Sequence, residues 1–308
     1  MKKKILCTIF LFLFAYGFEK TILGMELNRA DYITYLITLA GISLYLLYLI
    51  PFILGVKYLS AKLDISRKVF VVAFICGVFI APVFSSYANE LLDKLWSHFM
   101  SAKSLEKWSD ALTAPFSEEI IKAIVALFAL SLFKLNTGKD YLLAGLGSGI
   151  GFQFIEDIYY VLPNGSSMKA LGNIFPQVLD RLSGSLGSHW TYTATVLVGL
   201  YLIIKGGKKL KGTVFMLAPV ALHFAWNSPL SGSEEEYSLS DPILTTLTLG
   251  LFIMALTEII HMEKKTKETV DIAPPSSVLD YRFADTAEDE QDRCSAVEIQ
   301  AVHVREKI

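Results

Sequence analysis

Eight stretches of the chain are continuously apolar over about the 20 residues that a helix needs to cross a bilayer. They cover residues 5–24, 32–56, 69–88, 112–133, 141–162, 183–204, 213–230 and 243–260. None shows the strict alternation of a barrel strand, so helices are predicted to carry the fold. The expected class is all-α: a polytopic membrane bundle of about eight transmembrane helices. It occupies residues 1–262 and is followed by a polar tail at 263–308. The tail holds seven basic and eleven acidic residues and a Pro274-Pro275-Ser276-Ser277 linker, and is expected to be disordered.

Lysine and arginine orient the bundle. With the N-terminus in the cytoplasm, the inner segments carry sixteen of them, in groups such as Lys2, Lys3, Lys4 and Lys205, Lys208, Lys209, Lys211. The outer segments carry seven, Arg181 among them. Both termini are therefore expected in the cytoplasm. The first apolar run follows Met1-Lys2-Lys3-Lys4 and also suits a signal peptide. No small-x-small cleavage site follows it, which favours an uncleaved helix.

Composition narrows the class further. Apolar residues make up 53% of 308 and charged residues 19%, against roughly 25% charged in soluble domains. The net charge of −2 excludes a nucleic-acid binder that relies on bulk positive charge. The three cysteines, Cys7, Cys76 and Cys294, are too scattered for a disulfide framework or a zinc finger. The outer segment 87–113 places Leu91, Leu92, Leu95, Trp96, Phe99 and Met100 at helical spacing, which predicts an amphipathic helix in the outer interface, most simply a cap over the bundle.

Several spans carry residues that lipid would not tolerate. Span four holds Ser117-Glu118-Glu119-Ile120-Ile121-Lys122, and span five holds Gln153, Glu156, Asp157 and Tyr160. Span six holds Ser188 and His189, and span seven holds His223 and Asn227. A charged residue at a helix centre costs about 2.5–3.5 kcal/mol on insertion scales, so these acids and the lysine could cost on the order of 10 kcal/mol if they faced lipid. Glu118, Glu156 and His189 each lie six residues from the outer end of their span. At 1.5 Å per residue that is roughly 9 Å deep for all three. His223 lies at a similar depth and Asn227 nearer the boundary. One polar site in the outer half of the membrane is therefore expected.

Helical spacing places Glu118 and Lys122 on one face, with Glu119 flanking it. Taken singly, Glu118–Lys122 reads as well as an interfacial ion pair, His189 as a packing residue, Asp157 as interfacial, and Asn227 as a helix–helix hydrogen bond. Gly145, Gly147, Gly149 and Gly151 form two overlapping G-x-x-x-G spacings that would let span five approach its neighbours closely. Glu258 and His261, at the inner end of span eight, read as interfacial.

Together the residues suit hydrolysis. A charged glutamate can take a proton from water, a histidine or protonated glutamate can donate to the leaving amine, and His or Asn can stabilise an oxyanion. Glu156, His189 and His223 also match the two-His-one-Glu set of catalytic zinc sites, so a divalent metal such as zinc is a candidate cofactor, although no His-Glu-x-x-His is present.

The order of these motifs resembles the PrsW family of intramembrane proteases, related to the CAAX-processing proteases and bacteriocin-immunity membrane proteins. The resemblance rests on Glu118-Glu119-x-x-Lys122, Phe152-x-x-x-Glu156-Asp157-x-x-Tyr160, Gly187-Ser188-His189 and His223-x-x-x-Asn227, within residues 110–230. It implies a peptidase of the bacterial plasma membrane that cuts membrane-anchored proteins, for example an anti-sigma factor, near the outer face. Its partners would be that substrate and the lipid bilayer, and not a nucleic acid. It also implies Glu118, Glu119 and Glu156 as catalytic, with His189 and His223 as their polar partners. Family members often have Asn where Asp157 stands here. An ion-coupled transporter is the competing class, since intramembrane acids and histidines also relay protons; a non-catalytic immunity-type protein is another.

Overall fold

A computed structural model describes residues 2–25, 32–161, 175–179, 181–182, 184–231 and 240–272; the rest of the expected tail, 273–308, lies outside the described residues. The described chain is helical, with no strand among these residues. Its long helices are α1 (Lys2–Gly24), α2 (Tyr32–Leu63), α3 (Lys68–Phe79), α4 (Ala81–Trp96), α5 (Ala102–Phe133), α6 (Gly138–Val161), α7 (His189–Ile204), α8 (Lys209–Asn227) and α9 (Ser240–Ile272). The chain divides into one unit at Met1–Ile259 and a second at Ile260–Ile308, described only as far as the end of α9. The polar tail expected from residue 263 is thus helical as far as Ile272.

Among the described residues, three helices are long and apolar enough to cross a membrane: Lys3–Gly24, Tyr32–Leu63 and Ser240–Thr266. A fourth results if α3 and α4 count as one span. The helices with the polar motifs are not among these: α7 has only 16 residues, and α5 buries Glu118, Glu119 and Lys122.

Two spans depart from their expected form. The stretch 69–88 is not one helix: it breaks at Ile80, and α3 and α4 meet at a 44° bend. Pro82, at the start of α4, has no N–H to continue the α3 ladder. Span four begins earlier than expected, at Ala102, where the Ser101 side chain caps the helix by accepting from Ser104 N (3.2 Å). The segment 87–113 is therefore no single interfacial helix but the end of α4, a turn and the start of α5. Trp96 Nε1 donates to Leu112 O (3.3 Å), Ser109 donates to Asp93 (2.5 Å), and Ser117 donates to Asn89.

The first turn of α6 is held by Asp140, whose Oδ2 accepts from Thr137 N (3.0 Å) and Thr137 Oγ1 (2.6 Å). At the same end of the bundle, where the start of α6 at Gly138 meets Ile259, Glu258 is buried and both Lys208 and Lys211 donate to it.

The α6 glycines set the spacing of the core. A Cβ on Gly145 or Gly149 would lie 2.6 Å or 2.5 Å from the α7 backbone, at Ala194 and His189. A Cβ on Gly147 or Gly151 would lie 2.5 Å or 2.3 Å from the α3 backbone, at Phe70 and Phe74. Two residues along a helix turn the side chain by about 200°, so one alternating stripe serves two opposite neighbours. Gly77 of α3 returns the contact, 2.3 Å from Ser148 O, and Gly199 and Gly212 repeat it between α7 and α8. Hence α6 is wedged between α3 and α7 at backbone contact, and α7 lies as close to α8.

Gly149→Ala is expected to destabilise the protein, by at least the roughly 1–3 kcal/mol of an overpacked core, and to displace His189. Gly250→Ala, whose Cβ would meet nothing within 4 Å, should be neutral or stabilising. Thermal unfolding of the two purified variants checks the contrast.

Candidate functional site

Four helices bring the polar motifs together. From α5 come Glu118, Glu119 and Lys122; from α6, Glu156 and Asp157; from the first turn of α7, His189 and Thr193; from the last turns of α8, His223 and Asn227. Glu118, Glu119, Lys122, Asp157, His189 and His223 are all buried, and the Glu156 side chain is 25% exposed.

Lys122 is the hub. Its ammonium is fully buried and donates to Glu119 Oε1 (2.7 Å) and to His189 Nδ1 (2.8 Å). Glu118 Oε2 is further away at 3.6 Å, so the closer ion pair is Glu119–Lys122 rather than the i,i+4 pair. The Phe152 ring lies under the ammonium, 4.5 Å from it.

Glu119 is saturated. Besides Lys122 it accepts from Thr193 Oγ1 (3.0 Å) and lies 3.2 Å from His223 Nδ1. Its neighbour Glu118 differs: Glu118 Oε2 is buried and accepts no hydrogen bond among the described residues.

Carboxylates order both imidazoles. His189 Nε2 lies 2.8 Å from Glu156 Oε2. A carboxylate accepts, so the proton is assigned to Nε2 and the Nδ1 lone pair faces Lys122 and Glu118. For His223, Nδ1–H faces Glu119, which leaves Nε2 to accept from Asn227 Nδ2 (3.3 Å). The His189 and His223 rings are 5.1 Å apart, and Tyr192 stacks on His223.

The group that converges as a metal set is Glu118, His189 and His223, whose ligand atoms lie within 4.8 Å of one another. Glu156, expected in that set, is outside it because it takes the opposite nitrogen of His189. One acid with two imidazoles is the donor set of catalytic zinc sites, which keep a coordination position open. Together with the orphaned Glu118 oxygen, this set fits a divalent cation.

Asp157, expected as a supporting residue of the site although taken singly it also reads as interfacial, is fully buried and ion-paired with Arg181 (2.8 Å). Asn227 donates to Asp110 O (3.4 Å), a contact between α8 and α5, as well as meeting His223. Tyr160, on the Glu156 stripe, is exposed. Sequence reasoning passed over Thr193 and Arg181. Thr193 is four residues after His189, so helical spacing could have found it. Arg181 has no periodic relation to Asp157 and stood only among the outer basic residues.

An all-helical bundle that buries acids, a lysine and two imidazoles in one cluster holds the groups that hydrolysis uses. The chain matches, over residues 66–257, the PrsW family of intramembrane metalloproteases, and it belongs to that family. It is thus a peptide hydrolase that works within the membrane. The match extends beyond residues 110–230 on both sides, taking in the broken α3–α4 unit and part of α9. No curated protein and no solved structure matches the chain.

Lys122→Met would leave Glu119 buried without its cation. Removing one partner of a buried pair costs about 3–5 kcal/mol, so the unfolding temperature should drop, and adding Glu119→Gln should restore part of it. Thermal unfolding of the single and double variants measures both.

Proposed function

We propose that this protein cleaves membrane-anchored proteins close to the outer face of a bacterial plasma membrane. An anti-sigma factor is the example the family resemblance offers. In this reading eight helices span the bilayer, both termini are cytoplasmic, residues 1–262 form the membrane domain and 263–308 a cytoplasmic tail. The carrying observation is the convergence of Glu118, Glu119, Lys122, Glu156, His189 and His223 from four helices onto one buried cluster.

Roles follow from hydrogen-bond capacity. Glu119 is occupied by Lys122, Thr193 and His223, so it holds the framework. Glu118, with its unclaimed oxygen, takes the proton from the attacking water. Lys122 keeps the two adjacent acids compatible by supplying a cation to both. Glu118, once protonated, passes that proton to the leaving amine, while His189 is held beside it, its Nε2–H on Glu156 and its Nδ1 accepting from Lys122. Asn227 orients His223, donating to its Nε2 while the Nδ1–H faces Glu119.

Glu118, His189 and His223 would hold a divalent metal. Such an ion supplies Lewis-acid polarisation and a lowered water pKa. A carboxylate has two oxygens, so Glu118 can hold an ion with one and take a proton with the other.

Comparison of released extracytoplasmic segments between cells with wild-type protein and cells with Glu118→Gln tests this reading. Segments released only with the wild type, cut at the outer end of their span, are expected. Removal of the catalytic centre should lower their release at least about 100-fold, the scale on which positioned acid–base groups act. Equal release from both strains, at equal expression, would contradict the reading.

A further inference from the structure

Asp157 is a fully buried acid next to Glu156, and Arg181 accompanies it in space. Arg181 comes from the segment before α7. Its Nε donates to Asp157 Oδ1 (2.8 Å), and its Nη2 lies 2.8 Å from the same oxygen. Nη2 also donates to Glu156 Oε2 (3.2 Å), and the guanidinium stands 4.0 Å over the Tyr160 ring. Asp157 Oδ2 accepts from Ser185 Oγ (3.4 Å), in the short turn that leads into His189.

One oxygen is shared in this arrangement. Glu156 Oε2 takes the long bond from Arg181 at 3.2 Å and the short one from His189 Nε2 at 2.8 Å. The guanidinium's Nε–H is committed to Asp157, and Nη2, in ion-pair contact with the same oxygen, donates to Glu156 from the side. A rigid donor fork can bridge two carboxylates in this way, whereas an ammonium cannot.

We propose that Arg181 is a positioning residue of the site. Anchored on Asp157, it braces the Glu156 carboxylate against His189 and so fixes the imidazole with Nδ1 toward Glu118. This rests on the reading of the cluster as the proteolytic centre. Asp157 has a defined part in it. An Asn at this position could not balance the guanidinium, which would then turn its strong bonds on Glu156 and draw that carboxylate away from His189. Arg181 and Asp157 thus form one device, and an arginine here requires the acid.

The test uses full-length protein in lipid nanodiscs: wild type, Arg181→Gln, Arg181→Lys, Asp157→Asn and the double variant Asp157→Asn/Arg181→Gln. Thermal unfolding establishes that each is folded. Steady-state cleavage of a single-span reporter gives kcat and KM, and competition with a chromogenic chelator gives zinc affinity. Arg181→Gln and Asp157→Asn should each lower kcat by on the order of 10- to 100-fold, the range for losing the outer partner of an ordered imidazole, with KM unchanged. Arg181→Lys should share the loss, since it keeps the charge but not the fork. The double variant should exceed Asp157→Asn alone, because the unbalanced guanidinium is gone.

Zinc separates positioning from simple charge. Removing a cation beside the site would tighten zinc binding by electrostatics alone, whereas loss of the brace on His189 should weaken it on the order of ten-fold. Wild-type kcat in both single variants, losses that multiply in the double variant, or zinc binding that is unchanged or tighter in Arg181→Gln would overturn the proposal. Glu118→Gln is the separate control. Should it be inactive while Arg181→Gln is fully active, the proteolytic reading stands and the brace falls. Should the wild type fail to cut the reporter, that reading falls and the zinc measurement still decides on Arg181.

Discussion

A charge buried without partners is among the most expensive things a helix bundle can contain, and Lys122 is one that must be answered. Its ammonium has no exposure and is met by Glu119, by His189 and by the face of Phe152. Those partners come from α5, α7 and α6, so satisfying one cation requires three helices to meet at one level. In a low dielectric the penalty for missing any of them is several kcal/mol. The same requirement extends outward. Glu119 must be balanced by Lys122 and His223, His189 by Glu156, and Glu156 together with Asp157 by Arg181.

Glycine makes that meeting possible. Gly145 and Gly149 bring α6 to backbone contact with α7, and His189 is itself one of the residues touched by Gly149. Gly147 and Gly151 do the same toward α3. With α6 clamped on both sides, Glu156 is delivered to His189 by rigid elements rather than by a loop, the arrangement that best holds a catalytic geometry. The contrast within the pair of adjacent glutamates follows from the same packing. Glu119 meets three donors, while Glu118 keeps one oxygen free, which the proposed proton transfer uses.

Much of this was legible in the sequence because buried polar residues in apolar runs have few explanations. Glu118, Glu156, His189 and His223 stood out at similar depths on four runs, and spacing alone placed Lys122 on the face of Glu118. The G-x-x-x-G spacings announced close helix approach, although not that alternate glycines would serve different neighbours. What escaped reading depends on contacts between distant parts of the chain. The pairing of Arg181 with Asp157 joins residues with no periodic relation, and it is what the buried Asp157 carboxylate is held by. Which acid joins the two imidazoles depended on which ring nitrogen faces which helix, so Glu118 rather than Glu156 completes that group. The break at Ile80 was signalled by Pro82, but the apolar run around it reads as one span.

The central claim is that this one buried cluster hydrolyses a peptide bond within the membrane, with Glu118 receiving the proton of the attacking water. Reconstitution of the purified protein with a single-span peptide, and nothing else, in lipid vesicles tests it most directly. Cleavage in the outer third of the peptide span, abolished by Glu118→Gln in a protein that still folds, is the predicted result. Cleavage that persists in Glu118→Gln would contradict the account.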